Sequence, residues 1–419
     1  STHSSLSFLI AQDNPLDQYL MHNPDFFFGK NFDNALINPD NPYILKPHLL
    51  CAAWEKPLND EDKEFFVHSP SIIPREPFTS PHSEPFASTV IAVSRSPEQS
   101  EGEAKQSHLA QDKLRDQGIL DALLVKLEQE GKLKKRGERW YPSPAVTYPA
   151  QDVNIRATSG GNYAVIDISQ GCLLETVDAS VAFFQIHPGA IYLHRGEAYV
   201  ITELDSVRRT ALAEPTSVNY YTQTKDLTDI RVVKTAKVKD CHGVKVYFGD
   251  VDVTTTVVGF KKKRQFTEEV IGEEPLDLPP QSFPTKALWF DLPQKAVDRI
   301  ADAGLDFYGG LHACEHAAIG ILPLFALCDR NDIGGVSTPF HPDTGKAQIF
   351  IHDAHPGGIG IAEKGFEVIT KLWQATLKVV KECPCQDGCP SCIQSPKCGN
   401  NNQPLDKKAA IILLQELGN

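Results

Sequence analysis

No stretch of this 419-residue chain approaches the roughly eighteen consecutive apolar residues that a membrane-crossing helix needs, so the sequence offers no such span. The first ten residues lack the basic-then-apolar order of a signal peptide. Methionine is almost missing: Met21 stands alone, and the chain opens on Ser1. Leu6-Ser-Phe-Leu-Ile-Ala11 reads as a buried strand with nothing before it to pair with, which predicts a piece of a longer protein. Positive charge is in deficit, with 41 Lys and Arg against 54 Asp and Glu and a net charge of −13. That balance argues against wholesale nucleic-acid binding and leaves room only for a local basic surface. Nucleotide loops are lacking too. Gly345-Lys346-Ala347 has neither the Ser/Thr nor the upstream glycine of a Walker A loop, and no Asp-Glu-x-Asp or Asp-Glu-x-His box occurs. ATP hydrolysis by the P-loop route is therefore excluded for these residues. No nucleophile–base pair is visible either.

What the chain does have is a cysteine cluster. Five of its ten cysteines fall in Cys383-Pro-Cys385-Gln-Asp-Gly-Cys389-Pro-Ser-Cys392-Ile-Gln-Ser-Pro-Lys-Cys398. Gly and Pro turns between closely spaced thiols let several sulfurs converge on one cation, which favours zinc over an iron–sulfur cluster or disulfides. Isolated cysteines elsewhere fit a reducing cytosol, so the expected location is cytoplasmic. The compact set Cys383, Cys385, Cys389 and Cys392 is the first choice of ligands, with Cys398 as the alternative. Four thiolates leave no open position for water, so this zinc is expected to be structural.

The fold class reads as α+β and multidomain: a winged helix, a small β-barrel-like region and a mostly helical C-terminal zinc-binding domain. Residues 1–68 carry helical signals at Pro15–Met21 and Pro47–Trp54. Residues 69–101 are Pro/Ser-rich and read as a linker. Residues 102–149 combine helices near 105–115 and 118–130 with a basic strand–turn–strand, the pattern of a winged helix. Lys132, Lys134, Lys135, Arg136, Arg139 and Trp140 are its candidate DNA-binding residues. Residues 150–290 carry β-branched runs at 165–168, 190–193, 198–202, 230–233, 244–248 and 251–258, with Gly189, Gly196, Gly243 and Gly249 at turns. Residues 291–419 return to helix at 294–303, 307–328, 360–381 and 405–417.

Other candidates compete with plain structural roles. His312-Ala-Cys-Glu315-His316 has the H-x-x-E-H spacing of a metallohydrolase, but its small apolar flanks fit a packing helix equally well. Gly358 and Gly360 could present amides to a phosphate, though no glycine-rich motif is completed and a tight turn is the plainer reading. A second basic run, Lys261-Lys-Lys-Arg264, and the pair His187 with Tyr220-Tyr-Thr222 could border a stacking surface or be ordinary strand residues.

Several long segments taken together resemble one family. They are Asp13-Asn-Pro-Leu-Asp-Gln-Tyr19, Asn41-Pro-Tyr-Ile-Leu-Lys-Pro-His-Leu-Leu-Cys-Ala-Ala53, His187-Pro-Gly-Ala-Ile-Tyr-Leu-His194, Leu311-His-Ala-Cys-Glu-His-Ala317, Cys328-Asp-Arg-Asn-Asp-Ile-Gly-Gly335 and Asp353-Ala-His-Pro-Gly-Gly-Ile-Gly360, with the cysteine cluster. The chain is similar over nearly its whole length to the C-terminal region of superfamily-two DEAD/DEAH-box helicases of the mitomycin repair factor A type, which are RecQ-like. The resemblance implies DNA repair by an ATP-driven 3′ to 5′ motor. The winged helix and zinc domain would hold single-stranded or forked DNA. ATP and Mg²⁺ would act only through N-terminal RecA-like motor domains, which this sequence lacks. It also implies zinc on Cys383, Cys385, Cys389 and Cys392, and a family motif at His312, Glu315 and His316. A zinc metallohydrolase using those three residues, or a module docking other repair proteins, remains the alternative.

Overall fold

The computed structural model describes residues 8–28, 36, 38, 41–62, 66, 118–153 and 161–418. The linker expected at 69–101 and the helix expected at 105–115 lie outside the described residues. Residues 8–11 form no strand, and Phe8 and Ile10 are exposed, which corrects the buried strand expected there. Alternating apolar residues alone do not make a strand when no neighbouring strand takes up their backbone bonds. Two short helices follow, α1 (Pro15–His22) and α2 (Pro24–Phe28). The chain divides into two compact units, residues 39–155 and residues 1–38 with 156–419.

The smaller unit is built from α3 (Pro42–Glu55), α4 (118–129) and a hairpin of β1 (Leu133–Arg136) and β2 (Arg139–Pro142). α3 starts where Asn41 accepts the Tyr43 N–H at 2.9 Å and Pro42 supplies a preset φ. Leu45, Leu49 and Leu50 of α3 share one core with Leu120, Leu124 and Leu127 of α4 and with Leu133 and Trp140 of the hairpin. Leu58 exchanges both backbone hydrogen bonds with Trp140, adding a third short strand. The winged helix expected at 102–149 therefore begins earlier. It takes in α3, which the sequence reading placed in a separate segment, because α4 and the hairpin need that apolar face to close their core.

In the larger unit, β3 (Asn162–Asp167), β4 (Cys172–Asp178), β5 (Ile191–His194), β6 (Glu197–Asp205) and β7 (Thr210–Thr216) form a sheet in the order β4-β3-β7-β6-β5. α5 (Ala179–Gln185) buries Ala182 and Phe183 against it. The sheet is curled: Tyr192 of edge strand β5 donates its hydroxyl to Glu175 of edge strand β4 at 2.7 Å. It is barrel-like because side chains bring the two edges together.

Two much longer strands follow, β8 (Tyr220–Cys241) and β9 (Val244–Arg264), joined at His242-Gly243, both with positive φ as a tight hairpin requires. The separate runs expected at 230–233, 244–248 and 251–258 are parts of this one ribbon. Gly249 is no turn. It lies mid-strand at a bulge, where any Cβ would collide with the Lys234 carbonyl oxygen. β9 also pairs with β10 (Val270–Pro275) and β11 (Gln281–Asp291), and the sheet continues through β13 (Gln348–Asp353) to β12 (Ile333–Thr338). It thus draws strands from both sides of residue 290, where the sequence reading set a boundary.

The helices α6 (Gln294–Asp302), α7 (Phe307–Ile321), α8 (Ile361–Glu367), α9 (Ile369–Glu382) and α10 (Lys407–Gly418) pack with this sheet around the largest core. The helix expected over 307–328 ends at Ile321, passing into a 3₁₀ turn that contains Pro323, which has no N–H to continue the ladder. The helix expected over 360–381 is two helices meeting at Val368. α7 and α10 cross closely, since a Cβ on Gly310 would stand 2.6 Å from that of Ala409. Residues 383–406 join α9 to α10 and carry the cysteine cluster, as expected.

Candidate metal centre and nucleic-acid face

The four sulfurs of Cys383, Cys385, Cys389 and Cys392 converge at the C-terminal end of α9. Their Sγ atoms are separated by 3.6 Å (383–385), 3.5 Å (383–389), 3.5 Å (385–392) and 3.8 Å (389–392). A tetrahedral zinc with Zn–S bonds of about 2.3 Å has S···S edges of about 3.8 Å, so the set fits such an ion. Local chain geometry makes the cradle. Cys383 caps α9 in an extended conformation, and its N–H still bonds the Val379 carbonyl. Gly388 adopts φ 109° beside Ile393, a turn closed to side chains. The Cys389 amide then donates to the Cys392 sulfur at 3.3 Å, and the Cys392 amide bonds the Cys389 carbonyl.

Lys407, the first residue of α10, completes the surroundings. Its buried ammonium donates to the carbonyls of Cys383 (2.8 Å) and Cys385 (2.7 Å) and to the Cys385 sulfur (3.3 Å). Burial alone would raise the Cys385 thiol, but hydrogen bonds from Cys392 and Lys407 bring it down to about 7. Burial pushes the thiols of Cys383 and Cys392 up. Sequence reasoning missed Lys407, because a lysine in a terminal helix reads as a solvated residue.

Cys398 does not belong to this set. Its sulfur lies 3.4 Å from Nε2 of His312 and groups with His312 and His316 instead, which corrects its assignment as an alternative ligand. The residues after Cys392 carry the chain away in a separate loop, held by Asn402 against Ser395. His312, Glu315 and His316 are buried on α7. Burial pushes the Glu315 carboxyl up to about 7, and it accepts from Ser337 of β12. The donor that accompanies the two histidines is therefore a thiol. No observed geometry puts Glu315 in the role of a hydrolytic base.

The two basic runs part ways. In the smaller unit Lys132, Lys134, Lys135, Arg136 and Arg139 are all exposed around the hairpin, since only Leu133 of β1 turns inward. Lys135 lies over the Trp140 ring at 5.2 Å and Arg136 over the Tyr141 ring at 5.9 Å. Trp140 itself is 5% exposed and is a core residue, so it offers no face to a base, contrary to its assignment as a DNA-binding residue. Period-two alternation explains this: Arg139 faces out and the next residue faces in. In the larger unit each member of the second run meets a carboxylate: Lys261 with Glu273 (3.8 Å), Lys262 with Glu274 (2.5 Å), Lys263 with Glu268 (3.6 Å) and Arg264 with Glu269 (3.2 Å). That run is internally neutralised.

The remaining candidates take structural roles. His187 is buried against Phe260, Tyr221 bonds Glu268, and Thr222 accepts the Ile191 amide, so they form no stacking platform. The amides of Ile359, Gly360 and Ala362 all donate to the buried Asp353 carboxylate. An internal anion already fills the place a phosphate would take.

Comparison with known proteins bears on the zinc-binding region and on α3. Residues 314–393 match the MrfA Zn-binding domain, and residues 37–85 match the winged helix domain of ATP-dependent helicase HRQ1. The latter match takes in α3 and ends before α4 and the hairpin. The chain is 30% identical over 394 residues to the uncharacterized ATP-dependent helicase YprA of Bacillus subtilis (strain 168), covering 93% of this chain and 45% of the relative. It is 26% identical over 431 residues to ATP-dependent helicase HRQ1 of Saccharomyces cerevisiae, covering 98% of this chain and 35% of that protein. A crystal structure of the DUF1998 helicase MrfA superposes with a TM-score of 0.52 at 25% identity, covering 91% of this chain and 46% of that one. The chain thus spans less than half the length of each of these relatives. These matches show an α+β chain with a winged helix, a curled sheet and a C-terminal zinc-binding region, similar over nearly its whole length to one part of the helicases of the MrfA and HRQ1 type.

Proposed function

We propose that this chain is the DNA-engaging part of an ATP-dependent 3′ to 5′ helicase that acts in DNA repair. ATP and Mg²⁺ belong to RecA-like motor domains outside this sequence, and the chain alone neither hydrolyses ATP nor unwinds a duplex. Zinc held by Cys383, Cys385, Cys389 and Cys392 ties the end of α9 to the start of α10 and does no chemistry. The hairpin cations Lys132, Lys134, Lys135, Arg136 and Arg139 contact the phosphates of single-stranded or forked DNA.

The observation that supports this reading most is the contrast between the basic runs. Among the described residues Lys132 has Glu130 at 3.6 Å, but Lys134, Lys135 and Arg136 have no carboxylate at ion-pair distance, whereas Lys261 to Arg264 each have one. Cations already paired would have to give up those carboxylates to bind phosphate, and unpaired ones release counterions only.

Fluorescence anisotropy with labelled single-stranded and forked DNA over a salt series tests it. The triple substitution Lys134→Ala, Lys135→Ala, Arg136→Ala should weaken binding and flatten the salt slope, by roughly 0.7 on single strands for each phosphate no longer neutralised. Lys262→Ala with Lys263→Ala should leave both unchanged. Equal affinity and slope for the hairpin variant would reject the assignment. Repair-protein capture without DNA binding would favour a docking module.

A further inference from the structure

The site formed by His312, His316 and Cys398 is separate from the four-cysteine centre and has the make-up of a ligand set. The two histidines sit one turn apart on α7 with ring centroids 4.2 Å apart, and the three side chains offer donor atoms that all lie within 4.8 Å of one another. Each imidazole is held from behind. Nδ1 of His312 lies 2.9 Å from the Pro404 carbonyl oxygen, and Nδ1 of His316 lies 3.0 Å from that of Ile393. A carbonyl only accepts, so both Nδ1 atoms carry hydrogen, and the lone pair of each ring is left on Nε2. That arrangement, one ring nitrogen donating to a backbone carbonyl and the other presenting a lone pair, is what orients metal-bound histidines.

The sulfur is prepared in the same way. After Cys398 the chain passes through Asn401 and Asn402, both at positive φ, and this turns the Asn402 amide onto Sγ at 3.2 Å. Burial raises the Cys398 thiol and the amide offsets this only in part, so the turn fixes where the sulfur points rather than its charge. Asn402 also exchanges hydrogen bonds with Ser395 through its side chain, which locks the loop around Cys398. A lone thiol–imidazole hydrogen bond would account for the 3.4 Å contact between Cys398 and His312. It would not account for His316, oriented by its own carbonyl towards the same point.

We propose that Nε2 of His312, Nε2 of His316 and Sγ of Cys398 bind a second transition-metal ion, zinc by the mixed nitrogen and thiolate character of the donors. The fourth place of the tetrahedron falls to water or another small donor. This ion pins the loop 393–404 to the middle of α7, as the first ion pins the ends of α9 and α10. The loop that joins α9 to α10 is then clamped at both halves, independently.

Metal analysis of the intact chain decides it. Purified wild type should carry two zinc ions per chain, Cys392→Ser should lose one, and Cys398→Ser or His316→Asn should lose the other while the first remains. One zinc in wild type, unchanged by Cys398→Ser, overturns the proposal and leaves the four-cysteine centre standing. If a variant fails to fold, cobalt substitution of the wild type serves instead. Two titration phases, one with the spectrum of a four-thiolate site and one with that of a mixed nitrogen and thiolate site, support the second site. A single four-thiolate phase overturns it.

Discussion

Lys407→Met removes a charge from behind the zinc centre without changing the length of the side chain, and its cost can be worked from three hydrogen bonds. The ammonium uses all its donors, on the carbonyls of Cys383 and Cys385 and on the Cys385 sulfur, in a site where Lys407 is 5% exposed. Thioether replaces none of them. Two half-buried carbonyls are left without this donor, at no more than about 1–3 kcal/mol each. Part of that is offset, because the ammonium no longer has to be desolvated, a penalty of several kcal/mol in buried sites. Four thiolates around a divalent ion also leave a net charge of −2, which the lysine partly balances. The net expectation is a loss of about 1 kcal/mol of stability and of about 10–100-fold in zinc affinity, the range for partners that orient metal ligands. Competition against a chromophoric chelator reads the affinity, and urea unfolding in excess zinc reads the stability. Lys408→Met, at an exposed neighbour, should stay within about 0.5 kcal/mol of wild type. A Lys407→Met protein with wild-type zinc competition and an unchanged unfolding midpoint would refute the reasoning.

Two further outcomes follow from other parts of the larger unit. Gly310→Val puts a Cβ 2.6 Å from that of Ala409 where α7 and α10 cross, and overpacking of this kind should cost about 1–3 kcal/mol, read as a lower urea midpoint. A midpoint at or above wild type would show that the crossing has slack. His352 is fully enclosed, and burial pulls its imidazole down to about 4, so the folded protein refuses a proton that the unfolded chain accepts from about pH 6.5. Stability from this group is present above that value and is lost as pH falls towards 4, by about 3 kcal/mol in all. The stability gap between wild type and His352→Gln should therefore narrow by that amount between pH 7 and pH 4, and a gap independent of pH would contradict the assignment.

Legibility in this sequence follows the separation of the interacting residues. The zinc centre could be read because its four ligands lie within a single short loop, where spacing almost dictates convergence, and because zinc needs nothing from elsewhere in the chain to be recognised. The smaller unit could be read only in part. Its α4 and hairpin are contiguous, but their core is completed by Leu45, Leu49 and Leu50 from α3, which lies far upstream of α4 in the chain. No local pattern reports that α3 belongs there. Trp140 failed for the same reason: an aromatic in a basic hairpin looks like a stacking surface until Leu58 and α3 are seen to cover it. The long ribbon of β8 and β9 shows the opposite limit. Glycine is permissive, so Gly249 signals a turn and a close approach equally, and only the carbonyl of Lys234 across the bulge decides between them. The second set of metal donors combines both difficulties. His312 and His316 advertise themselves by helical spacing, but the residue that turns the pair into a site is Cys398, which the sequence presents as the spare fifth member of its own cluster. Proximity in sequence assigns a thiol to its neighbours only when the chain between and around them folds as one turn. Here Ser395 and Asn402 close a second turn around Cys398, and it aims the sulfur at α7 instead.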